Sequence, residues 1–281
     1  MIVLRNVKKV REIINKVKKR GDTVGFIPTM GALHEGHISL IKEAKKNTSF
    51  VVVSIFVNPT QFGPHEDYRK YPRNFKKDKE ILKQEGVDLI FYPNVKAMYS
   101  KKFSTYVEEI ELSKYLCGKR RPGHFKGVCT IVAKLFNIVL PDIAYFGQKD
   151  YQQAVIIKRM VKDLNFSLKI KVMPIVREKD GLALSSRNTY LTSHQRKEAL
   201  SLYHALKLAY RMVKNKKQPP TIIKAMQKLI KKEAPSSKID YINIVDPFTL
   251  QDVRKIEKRV LVALAIYIGK ARLIDNMLIK R

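Results

Sequence analysis

The stretch Thr23-Val-Gly-Phe-Ile-Pro-Thr-Met-Gly-Ala-Leu-His-Glu-Gly-His37 decides the fold. It begins as a short apolar run and turns at Pro28 and two glycines. It then enters residues 36–46, where Ile38, Leu40, Ile41 and Ala44 share one helical face. Next comes Phe50-Val-Val-Val-Ser-Ile-Phe-Val57, an unbroken apolar run rich in β-branched residues. Such a run fits a strand buried on both faces. Strand, glycine turn, helix and buried strand, in that order, are a βαβ unit.

Upstream, Val7, Val10, Ile13, Ile14 and Val17 recur at helical spacing and stop near Gly21. Downstream the alternation continues. A polar loop with prolines covers 58–73, followed by a helix over 74–85, a strand over 88–91 and a short strand near 103–107. A helix over 125–139, a strand over 143–146, a helix over 151–164 and a strand over 168–174 complete the series. This predicts a parallel sheet with helices on both faces. The pattern changes after Val176. One helical stretch covers 193–214, a polar break ends in Pro219-Pro220, and a second helix covers 221–233. Strands over 239–245, 259–268 and 271–279 close the chain, the last two joined by a tight hairpin at Gly269-Lys270. The expectation is an α/β domain over 1–175 and a smaller α+β domain over 176–281.

Composition narrows the class. Of 281 residues, 45% are apolar, enough for a packed core. The longest apolar run, 260–268, is far short of the roughly 20 residues that span a bilayer. The N-terminus carries no secretory signal pattern, so a cytoplasmic protein is expected. Cys117 and Cys129 have no C-x-x-C spacing and read as packing residues, with no disulfide. The net charge is +31, but 40 lysines outnumber 16 arginines and lie along the whole chain. Solvated point charges without an arginine stripe argue against nucleic acid as the main partner.

Four segments carry residue types that packing alone does not need. The first is Pro28 to His37, where His34 and His37 stand at the entry of a helix. Helix N-termini offer N–H groups and a positive dipole end to phosphate, and glycine permits close backbone approach. The spacing is not H-E-x-x-H, which excludes a zinc-protease reading. The second is Asn58-Pro-Thr-Gln-Phe-Gly63, past the end of the buried strand, where Gln61 offers both donors and acceptors. Tyr71 is a candidate wall of the same pocket. The third is Phe146-Gly-Gln-Lys-Asp-Tyr-Gln-Gln153. Here Lys149 suits phosphate, Asp150 suits a magnesium ion or the lysine, and Gln153 suits a substrate. The fourth is Asp180-Gly-Leu-Ala-Leu-Ser-Ser-Arg-Asn188, a glycine-led loop suited to a triphosphate. Arg120-Arg-Pro-Gly-His-Phe-Lys-Gly127 either borders the substrate or only turns the chain.

In this order the segments resemble the pantothenate synthetase family. P-T-M-G-A-L-H-E-G-H is similar to its nucleotide-binding signature, a relative of the HIGH motif of class I aminoacyl-tRNA synthetases. G-L-A-L-S-S-R-N is similar to its KMSKS-like loop. N-P-T-Q-F-G, Y-P-R, R-P-G-H-F-x-G-V, F-G-Q-K-D-Y-Q-Q and A-R-L-I-D-N also match, so the resemblance runs from near residue 3 to near 279.

The resemblance implies a Rossmann-like nucleotidylyltransferase domain with a small C-terminal lid, a homodimer, and ATP with Mg2+. It implies that pantoate attacks the α-phosphate of ATP and that β-alanine then attacks the resulting pantoyl adenylate. Met30, Gly31, Ala32, Leu33, His34, Glu35, Gly36 and His37 would line the ATP site, with His37 as proton donor and His34 beside it. Gly147, Gln148, Lys149, Asp150 and Val176 would hold adenosine and phosphates. Leu184, Ser185, Ser186 and Arg187 would close over the triphosphate, and Leu184 stands where many relatives have methionine. Gln61, Gln153 and Tyr71 would meet the substrates, and Asp150 would face magnesium through ATP. Two other readings remain at this stage. One is a nucleotidylyltransferase with a phosphorylated acceptor, for which neutral Gln61 and Gln153 are poor partners. The other is an RNA-binding protein using the +31 charge.

Overall fold

The computed structural model describes residues 1–64 and 66–281; His65, inside the predicted 58–73 loop, lies outside them. In chain order the elements are β1 (Ile2–Leu4), α1 (Val7–Lys19), β2 (Val24–Thr29), α2 (Glu35–Asn47), β3 (Phe50–Ile55), α3 (Phe75–Gln84), β4 (Leu89–Phe91), α4 (Val95–Met98), α5 (Leu116–Arg120) and α6 (His124–Val139). They continue as β5 (Ile143–Gly147), α7 (Tyr151–Asp163), β6 (Lys169–Met173), α8 (Ser193–Glu198), α9 (Leu200–Lys214), α10 (Pro219–Glu233), β7 (Lys238–Val245), β8 (Arg259–Ile268) and β9 (Ala271–Lys280). The chain forms two compact units. Met1–Ser113, Arg121–Gln148 and Gln153–Pro174 make the first; Lys114–Arg120, Lys149–Gln152 and Ile175–Arg281 make the second. Among the described residues no helix is long and apolar enough to cross a membrane.

The first unit is built on a six-stranded sheet ordered β1-β4-β3-β2-β5-β6, all pairs parallel. Its helices form for local reasons. Asn6 caps α1 by accepting from Lys9 N at 3.1 Å, and Val10, Ile14 and Val17 turn inward. Strand β1 was not anticipated. Three residues on the sheet edge, with Ile2 43% exposed, are too short to show a period.

Strand β2 lies between β3 and β5, where the order of connection reverses, and such switch points open a crevice at the strand carboxyl ends. The register shows the opening. Strand β2 pairs with β3 from Val24 to Thr29, but with β5 only at Gly25 and Phe26. Pro28 belongs to β2 and does not close it. The carbonyls of Thr23 and Thr29 face β3, so Pro28 faces the β5 side, where the ladder has already ended and its missing N–H breaks no bond.

The strand expected near 103–107 is absent among the described residues. That segment is held by a side chain instead of a ladder. Val107 N donates to Thr130 Oγ1 at 3.0 Å, and the hydroxyl returns a bond to Val107 O at 3.3 Å. The aromatic residues of the segment pack on each other, with the Phe103 and Tyr106 rings 5.3 Å apart.

The second unit has an antiparallel sheet, β7-β8-β9, backed by α9 and α10. The single helix expected over 193–214 is two helices meeting at Ala199. The break adjoins Glu198, whose buried carboxylate accepts from the backbone and hydroxyl of Ser236. Pro219 and Pro220 do not precede α10 but begin it, in the first turn where proline costs no helical bond.

One contact decides how closely α6 approaches the loop after β3. A Cβ on Gly127 would lie 2.3 Å from Thr60 O and 2.7 Å from Gln61 N. Gly127→Ala should therefore lower stability by about 1–3 kcal/mol through overpacking. An unchanged urea midpoint would contradict this packing.

Candidate functional site

Three of the singled-out segments follow the carboxyl ends of three neighbouring strands. Met30 to His37 follows β2, Asn58 to Gly63 follows β3, and Gln148 follows β5. After β2 the chain turns through two left-handed residues, Gly31 at φ 80° and Ala32 at φ 51°. Alanine rarely adopts this conformation. A carboxylate holds it there. Asp78 on α3 accepts from Ala32 N at 3.0 Å and from Leu33 N at 2.9 Å. Gly31 N is taken by Thr29 Oγ1 at 3.2 Å, and a Cβ on Gly31 would meet Asp78 Oδ2 at 2.8 Å. Burial pushes the Asp78 carboxyl above its ordinary value, against the pull of the two N–H bonds.

The turn delivers the histidines. His34 is the N-cap of α2 and His37 its third residue. The sequence reading expected open N–H groups here. Instead, the first turn of the helix is capped by its own histidines. His34 Nδ1 accepts from Gly36 N at 3.1 Å, and His37 Nδ1 accepts from His34 N at 3.3 Å. His37 N in turn donates to His34 O at 2.7 Å. A ring nitrogen that accepts carries no proton, so each neutral ring holds its proton on Nε2. The ring centroids are 4.2 Å apart. The pair is thus a matched set of Nε2–H donors. Leu33 is buried in the core, Met30 is half-buried, and Glu35 is exposed in the first turn of α2.

Gln61 lies in a 3-10 turn, Pro59–Gln61, and its amide is oriented by Asn58. Asn58 Nδ2 donates to Gln61 Oε1 at 3.1 Å and to Gly127 O at 3.1 Å. Asn58 Oδ1 accepts from Tyr99 OH at 2.7 Å and Thr60 Oγ1 at 3.1 Å. This buried network fixes which end of the Gln61 amide is oxygen. Its nitrogen faces Met30 Sδ at 3.3 Å, joining the second segment to the first. An amide has two N–H groups and two lone pairs, so one of each remains for a ligand. Tyr71 is buried, its ring edge-on to Phe62 with centroids 6.1 Å apart.

The R-P-G-H segment holds the Gln61 backbone. His124 Nδ1 lies 2.8 Å from Gln61 O, and its Nε2 lies 2.9 Å from Arg121 Nη1. A guanidinium only donates, so Nε2 accepts and Nδ1–H donates to the carbonyl. Arg121 also forms a fork on Glu66, at 2.6 Å and 2.5 Å. Burial raises the Glu66 carboxyl, but the bonds and charge of Arg121 outweigh it and hold the group below its ordinary 4.5.

At the end of β5, a Cβ on Gly147 would meet nothing within 4 Å. Gln148, Lys149 and Asp150 form a 3-10 turn that leads into α7. Lys149 Nζ lies 3.8 Å from Asp150 Oδ2, and the Asp150 side chain is 50% exposed. Gln152 is structural: it accepts from Cys117 N at 2.9 Å and donates to Tyr115 O at 2.8 Å. Gln153 is half-buried on α7. In the second unit Leu184 N donates to Val176 O at 3.0 Å, and Ser185 Oγ caps the turn Ser186–Tyr190 by accepting from Arg187 N at 3.3 Å.

Asp78 and Glu66 had no role in the sequence reading, and Asn58, Arg121 and His124 stood in its segments without a role of their own. The one available signal for Asp78 was a charge sharing a helical stripe with Ile81 and Leu82.

Asp78→Ala should speed amide exchange at Ala32 and Leu33 by about 10- to 100-fold, the worth of a bond to a charged group. Unchanged protection would show that the turn holds itself. Glu66 makes a second prediction. Its folded pKa lies below the unfolded one, so its stabilisation is present above about 4.5 and is lost as pH falls further. Glu66→Gln should cost about 1–3 kcal/mol at pH near 7, with the gap to the parent protein closing in acid. A gap independent of pH would contradict the ion pair.

The Pantoate-beta-alanine ligase family model matches residues 2–278. A pantothenate synthetase of Caldicellulosiruptor bescii is 53% identical, with 100% of this chain and 99% of that protein covered. One from Thermosipho africanus is also 53% identical, covering 99% of this chain and 100% of its own length. Among solved structures, pantothenate synthetase of Thermus thermophilus superposes with a TM-score of 0.93 at 42% identity, covering 99% of both chains. Pantoate-beta-alanine ligase of Francisella tularensis, complexed with beta-gamma ATP and beta-alanine, gives 0.82 at 41% identity, covering 99% of this chain and 97% of its own. With its length matched from end to end by such relatives, the chain belongs to the pantoate–β-alanine ligase family.

Proposed function

We propose that this chain condenses pantoate with β-alanine, using ATP and passing through pantoyl adenylate. The observation that carries the reading is the pair of Nε2–H donors fixed at the head of α2, tied through Met30 to an amide of fixed orientation at Gln61. The family match and the relative that holds beta-gamma ATP and beta-alanine support it.

In the first step a pantoate carboxylate oxygen attacks the α-phosphorus of ATP, and the bond to the bridging oxygen of pyrophosphate breaks. Negative charge grows on the departing pyrophosphate. His37 and His34 donate to it from Nε2, which requires no change in the caps their Nδ1 atoms make. Lys149 and Arg187 supply cationic charge for the triphosphate, with Ser185 and Ser186 as hydroxyl donors. Gln61 and Gln153 position pantoate, and Tyr71 packs beneath the Gln61 loop. In the second step the β-alanine amine attacks the acyl carbon and loses a proton, and the carbon–oxygen bond breaks to release AMP. No serine or cysteine nucleophile is needed, because the adenylate is already an activated acyl group. Catalysis is then positioning and charge stabilisation.

Mg2+ belongs to this reading as the partner of ATP. Asp150 is the carboxylate beside Lys149, and one carboxylate plus phosphate oxygens is a common magnesium set. When bound, the ion would spread charge over the phosphates. A homodimer in the cytoplasm completes the proposal.

The test is pyrophosphate release. ATP-Mg with pantoate alone should give one equivalent per site, and β-alanine should convert this burst to steady turnover. Release that ignores pantoate but follows a phosphorylated acceptor would replace this function with nucleotidylyl transfer. His37→Ala should slow the burst by about 100-fold, the usual worth of one transition-state donor. A near-normal burst would remove His37 from the step.

A further inference from the structure

The closing A-R-L-I-D-N segment has no part in the proposed chemistry, yet two of its residues form a buried node in the second unit. Asp275 and Asn276 stand side by side on β9, 3% and 4% exposed. The Asp275 carboxylate receives a fork from Arg177 at 2.6 Å and 2.9 Å. Arg177 is the foot of the segment that carries Ser185 to Arg187. Its Nη1 donates to Gly181 O at 3.0 Å, its backbone bridges to Ala183, and its guanidinium lies 4.7 Å from the Tyr203 ring. That ring also closes the segment from below, since a Cβ on Gly181 would lie 2.0 Å from it. Burial pushes the Asp275 carboxyl up, and the Arg177 bonds and charge oppose this. Removing either member of a pair this buried leaves a stranded group.

Asn276 works in the other direction. Its backbone N–H donates to Asp275 Oδ1 at 2.8 Å, so the carboxylate also sets the asparagine. Asn276 Nδ2 then donates to Lys149 O at 2.9 Å. Two neighbouring residues on one rigid strand thus hold the foot of the Ser185–Arg187 segment and the main chain that presents Lys149. Strands position side chains more firmly than loops do, and phosphate chemistry gains from that firmness.

We infer that Asp275 and Asn276 are positioning residues for ATP, setting Arg177 and Lys149 from a common strand. The inference rests on the ligase reading for its ligand, but its first readout is binding and needs no turnover. Calorimetry with ATP-Mg alone would compare the parent protein, Asn276→Ala, Lys149→Ala and the double variant. Asn276→Ala should weaken ATP about three- to tenfold, the net worth of one hydrogen bond. In the Lys149→Ala background the same change should add less than about twofold, because residues acting through one group are not additive.

Full additivity would overturn the inference and leave Asn276 a mere packing residue. So would unchanged ATP affinity in Asn276→Ala, or a parent protein that does not bind ATP. A parent that binds ATP and shows this coupling, but releases no pyrophosphate with pantoate, would support the inference while removing the proposed acceptor. Asp275→Asn, which strands Arg177, should weaken ATP in the parent and still weaken it in the Lys149→Ala background, and no loss in the latter would contradict its route through Arg177.

Discussion

The carboxylate of Asp78 is the interaction on which the site depends. It is buried, its own pKa is raised by that burial, and it spends both oxygens on the N–H groups of Ala32 and Leu33. Ionisation of a group so placed costs stability at neutral pH. What the cost secures is a left-handed turn at a residue with a Cβ, and that turn sets the start of α2. The start of α2 sets both imidazoles, because their Nδ1 atoms are consumed as helix caps. A capped helix end, a fixed tautomer and a pair of Nε2–H donors are therefore one device.

The same economy recurs at Gln61. Asn58 fixes the amide, while His124 and Arg121 fix the carbonyl, so both ends of one residue are held by groups that need not touch substrate. Polar groups in such networks are costly when left unmatched and rigid when satisfied. Opposite shifts in two carboxyls express the two situations. Asp78 is raised because burial outweighs two N–H bonds, and Glu66 is lowered because a guanidinium outweighs burial. Only in the second does the shift on folding add to stability at neutral pH.

The sheet and the motifs were legible because their signals are local. A run such as Phe50 to Val57 has one plausible fate, and the histidines stand at a helix start that periodicity already marks. Residues whose roles depend on distant partners were not legible. Asp78 meets Leu33 across 45 positions, Arg121 meets Glu66 across 55, and Asn276 meets Lys149 across 127. No spacing rule reaches that far. The apparent strand near 103–107 failed for the complementary reason: its apolar residues are matched by ring contacts and one threonine, not by a ladder. The helix expected from 221, after a polar break ending in Pro219-Pro220, begins at that proline pair, which suits a first helical turn.

The most direct test of the central claim follows one oxygen atom. If a carboxylate oxygen of pantoate attacks phosphorus and the amine then displaces it from carbon, that oxygen must leave with the nucleotide. Pantoate labelled with heavy oxygen in its carboxylate should therefore give AMP carrying one labelled oxygen per turnover, read by mass spectrometry of the isolated AMP. Label in inorganic phosphate with release of ADP would show an acyl phosphate route and contradict the account, as would AMP free of label.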